Sequence, residues 1–199
     1  LLVAVLLWVK GVYAPLEALR HGMFNLVSVA TTTGYATVDY LGWPVFAPVF
    51  MLLLSGVATS AGSTGCGIKM VRMLILLKQA RREMNRLVHP RAVQPVRLGD
   101  AVVDNRVIFS VLAFMLVYGA TIIGLSMVLL LTDLDPVTAF SAVIASVNCT
   151  GPGLGLVGPA SNYAVLTDFQ VWVCTLAMLL GRLEILSFMA LLTPAFWRR

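Results

Sequence analysis

Two short stretches hold the residue types most suggestive of chemistry: TTTGYAT at 31–37 and NCTGPGL at 148–154. Aligned, Thr33-Gly34 falls on Thr150-Gly151, while Thr32 and Tyr35 fall on Cys149 and Pro152. Glycine tolerates positive φ, so consecutive carbonyls can be turned toward one axis. A threonine hydroxyl adds an oxygen ligand at the inner end. A row of such oxygens can stand in for the hydration shell of a cation. The candidate ligands are Thr32, Thr33, Gly34, Cys149, Thr150 and Gly151, with Tyr35, Asn148 and Pro152 completing the two segments. A single small-residue cluster in an apolar chain more often serves helix packing. Recurrence in the same slot favours the oxygen-lined reading, and Pro152 and Pro159 make 148–160 a poor packing helix.

The elements that must position these stretches are apolar. Of 199 residues, 59% are hydrophobic and 12% charged, roughly half the charged fraction of a soluble domain. Residues 107–131 form an uninterrupted apolar run, enough for about 37 Å of helix and so for a bilayer. Segment 169–193 is similar but contains Arg182 and Glu184, and 43–58 is shorter. The opening LLVAVLLWVK lacks a starting Met and the basic region of a signal peptide, and is read as the end of a helix that begins upstream. The reading is an integral membrane protein.

Upstream of each Thr-Gly stretch lies a short helical segment opening on proline: Pro15 to Ala30 and Pro136 to Val147. At about 24 and 18 Å neither crosses a bilayer. Each is expected to dip in and stop, after which the chain climbs out as non-helical backbone. Such backbone is tolerated at membrane depth only when buried in protein or lining a watery cavity. The inward C-terminal ends would direct partial negative charge toward a cation. The expected fold is therefore all-α: two tandem helix–pore-helix–filter–helix repeats, at 1–84 and 107–199, joined by a cytoplasmic linker or hairpin at 85–106.

Nine basic residues, from Lys69 to Arg106, cluster between 68 and 106, and Arg198 and Arg199 end the sequence. By the positive-inside rule these regions are cytoplasmic. Glu17, Asp39, Asp133, Asp135 and Asp168 then lie opposite, against Lys10 and Arg20. The net +5 reads as a topology signal, with nucleic-acid binding disfavoured. The three cysteines, Cys66, Cys149 and Cys174, suggest no disulfide framework or metal knuckle. His21 and His89 have no partner at ligand spacing and read as interfacial side chains.

A second concentration of chemistry is SAGSTGCG at 60–67. It interrupts what would otherwise be a helix returning to the basic side, since each glycine costs about 1 kcal/mol there. A flexible gate of Gly62, Ser63, Thr64, Gly65 and Gly67 is expected beneath the filter. Gly65 lies 31 residues after Gly34, and Arg182 lies 31 after Gly151, so register places Arg182 at the depth of this loop. A buried arginine normally faces a path or a partner, and the expected role is a positive barrier. Glu184 is two residues away and on another side of the helix. Lys69 and Arg72 are expected at the inner interface.

TTTGYATVDY, AGSTGCGIKMVR, NCTGPGLG and LGRLEILS, in that order, resemble the third and fourth repeats of bacterial Trk/Ktr-type potassium uptake proteins. The resemblance runs from about Pro15 to the end. It implies potassium uptake across the bacterial inner membrane, with no bound cofactor and potassium as the transported ion. It also implies a homodimer with one pore per protomer, embedded in membrane lipid above a cytoplasmic nucleotide-binding regulatory subunit. Glycine in both stretches goes with potassium preference, because relatives with serine at such a position lean toward sodium. A membrane enzyme such as a lipid-modifying transferase would need clustered acids, histidines or nucleophiles, and Cys149 has no adjacent base. A purely structural membrane subunit would leave the duplicated Thr-Gly stretches without a role.

Overall fold

The computed structural model describes residues 1–60, 62–63, 65–90, 94–183 and 194–197. Helix α1 is Leu2–Val9, and α2, Pro15–Ala30, opens on its proline with Glu17 in the first turn. A first-turn N–H has no helical partner, so the proline gives up nothing there. Helix α3 is Phe46–Val57 and α4 is Met70–Val88, and the described residues between them, 58–60, 62–63 and 65–69, are non-helical, two residues beyond each end of the expected break at 60–67.

Strands β1 (Arg97–Leu98) and β2 (Ala101–Val102) pair antiparallel, Arg97 opposite Val102, which makes the expected hairpin. Helix α5, Asn105–Leu130, begins at Asp104, whose carboxylate accepts from the Arg106 N–H. Its 26 residues form the one described helix long and apolar enough to cross a bilayer. Helix α6, Pro136–Val147, is capped by Asp135, which accepts from the Thr138 N–H at 3.1 Å. Helix α7, Asp168–Arg182, starts with a Thr167/Gln170 capping box; of the expected span 169–193, residues 184–193 lie outside the described residues. A helical turn follows at Pro194–Trp197. Both short helices keep the bounds expected from sequence.

Two apolar clusters form the body. One gathers α1, α2 and α3 through Leu7, Ala18, Val29, Trp43, Ala47 and Met51. The other gathers α5, α6 and α7 through Phe114, Leu129, Ala142, Val143, Val147 and Ala177. Each borrows one residue across the boundary: Leu154, beyond the second Thr-Gly stretch, joins the first, and Ile68 joins the second. A third cluster ties the hairpin to α4 and α5 through Ile75, Val96, Ile108 and Val111.

Around a largely apolar core, polarity is locally inverted relative to a water-soluble globule, with many large apolar side chains exposed and several polar ones buried. Asn25 and Asn148 are buried at 0% and 1%, whereas Leu116 and Trp172 are each 72% exposed. That inversion suits lipid, where apolar side chains face out and polar ones are satisfied inside. Helix α6 is almost wholly buried, and its alanines 139, 142 and 145 are fully enclosed. Small side chains let α5 and α7 approach it closely. A Cβ on Gly181 would overlap the Val147 carbonyl oxygen, so α7 crosses the end of α6 at backbone contact.

Candidate functional site

The two Thr-Gly stretches leave their helices by the same backbone route. Thr32 and Cys149 both sit at positive φ, +57° and +54°, and so do Gly34 and Gly151, +82° and +97°. Thr33 and Thr150 between them do not. The hydrogen bonds repeat as well. Thr32 N–H donates to Val29 O at 3.1 Å and Cys149 N–H to Ser146 O at 3.0 Å. Thr33 N–H donates to Ser28 O at 2.8 Å and Thr150 N–H to Ala145 O at 2.9 Å. Donors are thus folded back onto the helix ends. No backbone N–H of a described residue donates to the carbonyl oxygens of Thr32, Thr33, Gly34, Cys149 or Thr150.

The turns touch each other. A Cβ at Gly34 would overlap the Thr150 carbonyl oxygen and come within 3.3 Å of Pro152 Cδ. Gly151 has open space around its Cβ position. Thr150 is buried with its hydroxyl unpartnered, whereas Thr33 is exposed and shares a 2.9 Å hydroxyl contact with Thr31. Two expected oxygens are already engaged. The Ser28 hydroxyl donates to Tyr35 O at 2.6 Å, and the Tyr163 hydroxyl donates to Gly151 O at 2.9 Å. Tyr35 therefore fixes the outgoing strand instead of adding a free oxygen, and Gly151 has one lone pair taken. Burial first, with Cys174 adding, pushes the Tyr163 phenol up to about 12, so it remains a donor through neutral pH.

Polar residues that composition did not single out hold each outgoing strand against its helix. Asn25 donates to the Thr37 hydroxyl at 3.0 Å and accepts from the Thr37 N–H at 3.1 Å, while His21 Nδ1 lies 3.1 Å from the same hydroxyl. His21 is thus part of this bracing, not merely an interfacial side chain. In the second copy Ser141 accepts from the Leu154 N–H at 2.8 Å and donates to its carbonyl, and Thr138 accepts from the Leu156 N–H at 3.1 Å. Thr37 and Leu154 each lie three residues beyond the glycine. The legible signal was a polar row on one face of each short helix.

The expected gate loop lies against the second turn. Ile68 N–H donates to Gly56 O at 2.7 Å and Met70 N–H to Thr59 O at 2.8 Å, closing its base, and the Thr59 hydroxyl donates to Cys66 O. Asn148 accepts from the Tyr118 hydroxyl at 2.7 Å and donates to Ser55 Oγ at 2.9 Å, fastening α6 to α5 and α3. A Cβ at Gly67 would come within 2.8 Å of Gly56 O and 3.0 Å of Asn148 Oδ1. A disulfide joins Cys66 to Cys149, with Cα atoms 5.8 Å apart across 83 residues of sequence. This corrects the expectation of no disulfide: the broken helix brings the loop under α6, a proximity no local spacing reveals.

Ser63, Gly65, Cys66, Gly67, Lys69, Arg72 and Arg182 line one cavity of about 220 Å³, together with Phe114, Tyr118 and Gly181. Arg182 and Gly65 line the same cavity, and so do Lys69 and Arg72. The Arg72 guanidinium sits 4.1 Å over the Phe114 ring. Gly62 does not line the cavity, and Thr64 and Glu184 lie outside the described residues.

Exposed apolar faces, a bilayer-length helix and two turns of repeated backbone geometry mark a helical membrane protein. The chain belongs to the TrkH family of cation transport proteins, whose profile matches residues 9–198. It is 39% identical over 195 residues to the Trk system potassium uptake protein TrkH of Salmonella typhimurium, covering 98% of this chain and 40% of that protein. Its Vibrio parahaemolyticus counterpart is 42% identical over 185 residues, covering 93% and 38%. The crystal structure of the potassium transporter TrkH from Vibrio parahaemolyticus superposes with a TM-score of 0.92 at 40% identity, covering 99% of this chain and 42% of that one. The chain spans about two fifths of the length of the relatives it matches.

Proposed function

We propose that this chain forms part of a potassium pore in which Thr32, Thr33, Gly34, Cys149, Thr150 and Gly151 supply main-chain oxygens to the dehydrated ion. The observation that carries the reading is the repeated alternation of backbone handedness at Thr32/Gly34 and Cys149/Gly151. Residues 1–84 and 107–199 act as two helix–pore-helix–filter–helix repeats, with 85–106 as the cytoplasmic connection. Two strands cannot surround an ion, so further Thr-Gly or Ser-Gly turns complete the ring. Similarity to potassium uptake proteins favours potassium over other cations.

The 58–69 loop and Arg182 act as the barrier beneath the filter. Lys69 and Arg72 add to the positive potential of the same cavity, which opposes cation passage until the loop moves. The pore sits in the bacterial inner membrane with the hairpin on the cytoplasmic side, where a nucleotide-binding regulator docks, and the whole protein works as a homodimer. The test is potassium-limited growth and rubidium-tracer uptake by the full-length protein in cells lacking other potassium uptake. Uptake that prefers potassium over sodium, and loses that preference in Gly34→Ser, supports the reading. Correctly inserted protein with no uptake, or with unaltered preference in Gly34→Ser, overturns it.

A further inference from the structure

We propose that Cys66 and Cys149 form a redox modification site that tethers the gate loop to the second filter turn. The proposal rests on the filter and gate assignments above. Cys66 belongs to the non-helical segment between α3 and α4, and Cys149 is the left-handed residue that begins the second turn. Their disulfide is a covalent link between moving part and selective part. Without it, the loop is closed on itself by the Ile68–Gly56 and Met70–Thr59 main-chain bonds. Those bonds tie it to the end of α3, not to the filter. The freed Cys149 thiol has an acceptor of its own, the Met178 carbonyl oxygen, 3.9 Å from its sulfur. Both redox states are therefore structurally accommodated, and only the oxidised one pins the loop.

Chemical access runs through the cavity that Cys66 lines beside Lys69, Arg72 and Arg182. The thiolate is the reactive form in exchange. Oxidation uses a small disulfide as the two-electron acceptor. The Cys66 thiolate attacks one of its sulfurs and expels the first thiolate, leaving a mixed disulfide on Cys66. The Cys149 thiolate then attacks the Cys66 sulfur and expels the second. Two protein thiols give up two protons and two electrons, and one small disulfide becomes two thiols. Excess small thiol reverses both steps. The tethered loop stays under the filter, so the oxidised protein is the low-flux form. Cys174 is free and buried, and takes no part.

The test uses the full-length protein in proteoliposomes, treated with oxidised glutathione or with reduced dithiothreitol. Rubidium-tracer uptake is read alongside peptide mass spectrometry of the Cys66–Cys149 linkage. The linked peptide is expected after oxidation, with uptake rising several-fold on reduction. Cys66→Ser is expected at the reduced level and unresponsive to either reagent, while Cys174→Ser responds like wild type. Absence of the linked peptide after oxidation, equal uptake in the two wild-type states, or a persisting response in Cys66→Ser each overturns the tether. The wild-type comparison needs no variant to fold. Selective uptake without a redox response removes the tether and leaves the pore assignment standing, whereas no uptake under any condition removes both.

Discussion

Gly34 and Gly151 share a backbone conformation but not a surrounding. A side chain in the left-handed region costs about 1–2 kcal/mol, so Gly151→Ala, opening onto free space, carries that strain alone. Gly34→Ala adds an overlap with the Thr150 carbonyl and must push the two turns apart. The expected outcome is a larger loss of potassium-over-sodium preference in Gly34→Ala, measured by competing rubidium and sodium uptake. Equal losses would show that the contact between turns is unimportant. Tyr163 makes a prediction of opposite character. Its phenol is raised from 10.0 to about 12 by burial, so its neutral form is favoured more in the folded state than in the unfolded one. That contribution is complete below the unfolded value and is lost as pH rises from about 10 toward 12. Thermal unfolding in detergent should therefore show Tyr163→Phe less stable than wild type by about 1 kcal/mol near neutrality, with the gap narrowing in strong alkali.

At the scale of elements, Asn148 and Gly181 decide how the second short helix is seated. Asn148→Ala takes the acceptor from the buried Tyr118 hydroxyl and a donor from Ser55, whose own hydroxyl still donates to Leu52 O, at a cost of about 1–3 kcal/mol for the group left unsatisfied. A lowered melting temperature is expected, measured on purified protein, and an unchanged one would mean the Tyr118 hydroxyl finds another partner. Gly181→Val places bulk against the Val147 carbonyl and should displace α7, with poor recovery of folded protein and displacement of Arg182 from the cavity. The short helices were readable from sequence because their signals are local: a first-turn proline, a length below the bilayer, and a glycine beyond the end. The bracing of Thr37 by Asn25 and of Leu154 by Ser141 was less readable, because Asn and Ser in an apolar helix have several uses and only the packed strand selects one.

At the scale of the whole molecule, two apolar clusters exchange residues, Leu154 in one direction and Ile68 in the other. The second Thr-Gly turn is thereby rooted partly in the first cluster, and the end of the loop before α4 in the second. The proposed arginine barrier belongs to this scale, because the cavity draws Gly65 from one half and Arg182 from the other. Removing the charge with Arg182→Ala should raise rubidium-tracer flux through the full-length protein. Unchanged or lower flux, with the protein normally inserted, would remove Arg182 from the barrier. Lys69 and Arg72 line the same wall, so the single substitution is expected to leave a residual positive potential.

The sequence by itself determined the helical membrane class, the bounds of both short helices, the break near 60–67 and the equivalence of the two Thr-Gly turns. Each of these follows from composition or from spacings within one element, where propensity and length act without reference to the rest of the chain. Only tertiary structure decided that Cys66 meets Cys149, that Lys69 and Arg72 join Arg182 in one cavity, and that Tyr35 and Gly151 surrender carbonyl oxygens to Ser28 and Tyr163. Those pairings depend on where α3, α6 and α7 cross. Backbone contacts such as Gly181 on Val147 fix that geometry, and it leaves no periodic trace in the sequence.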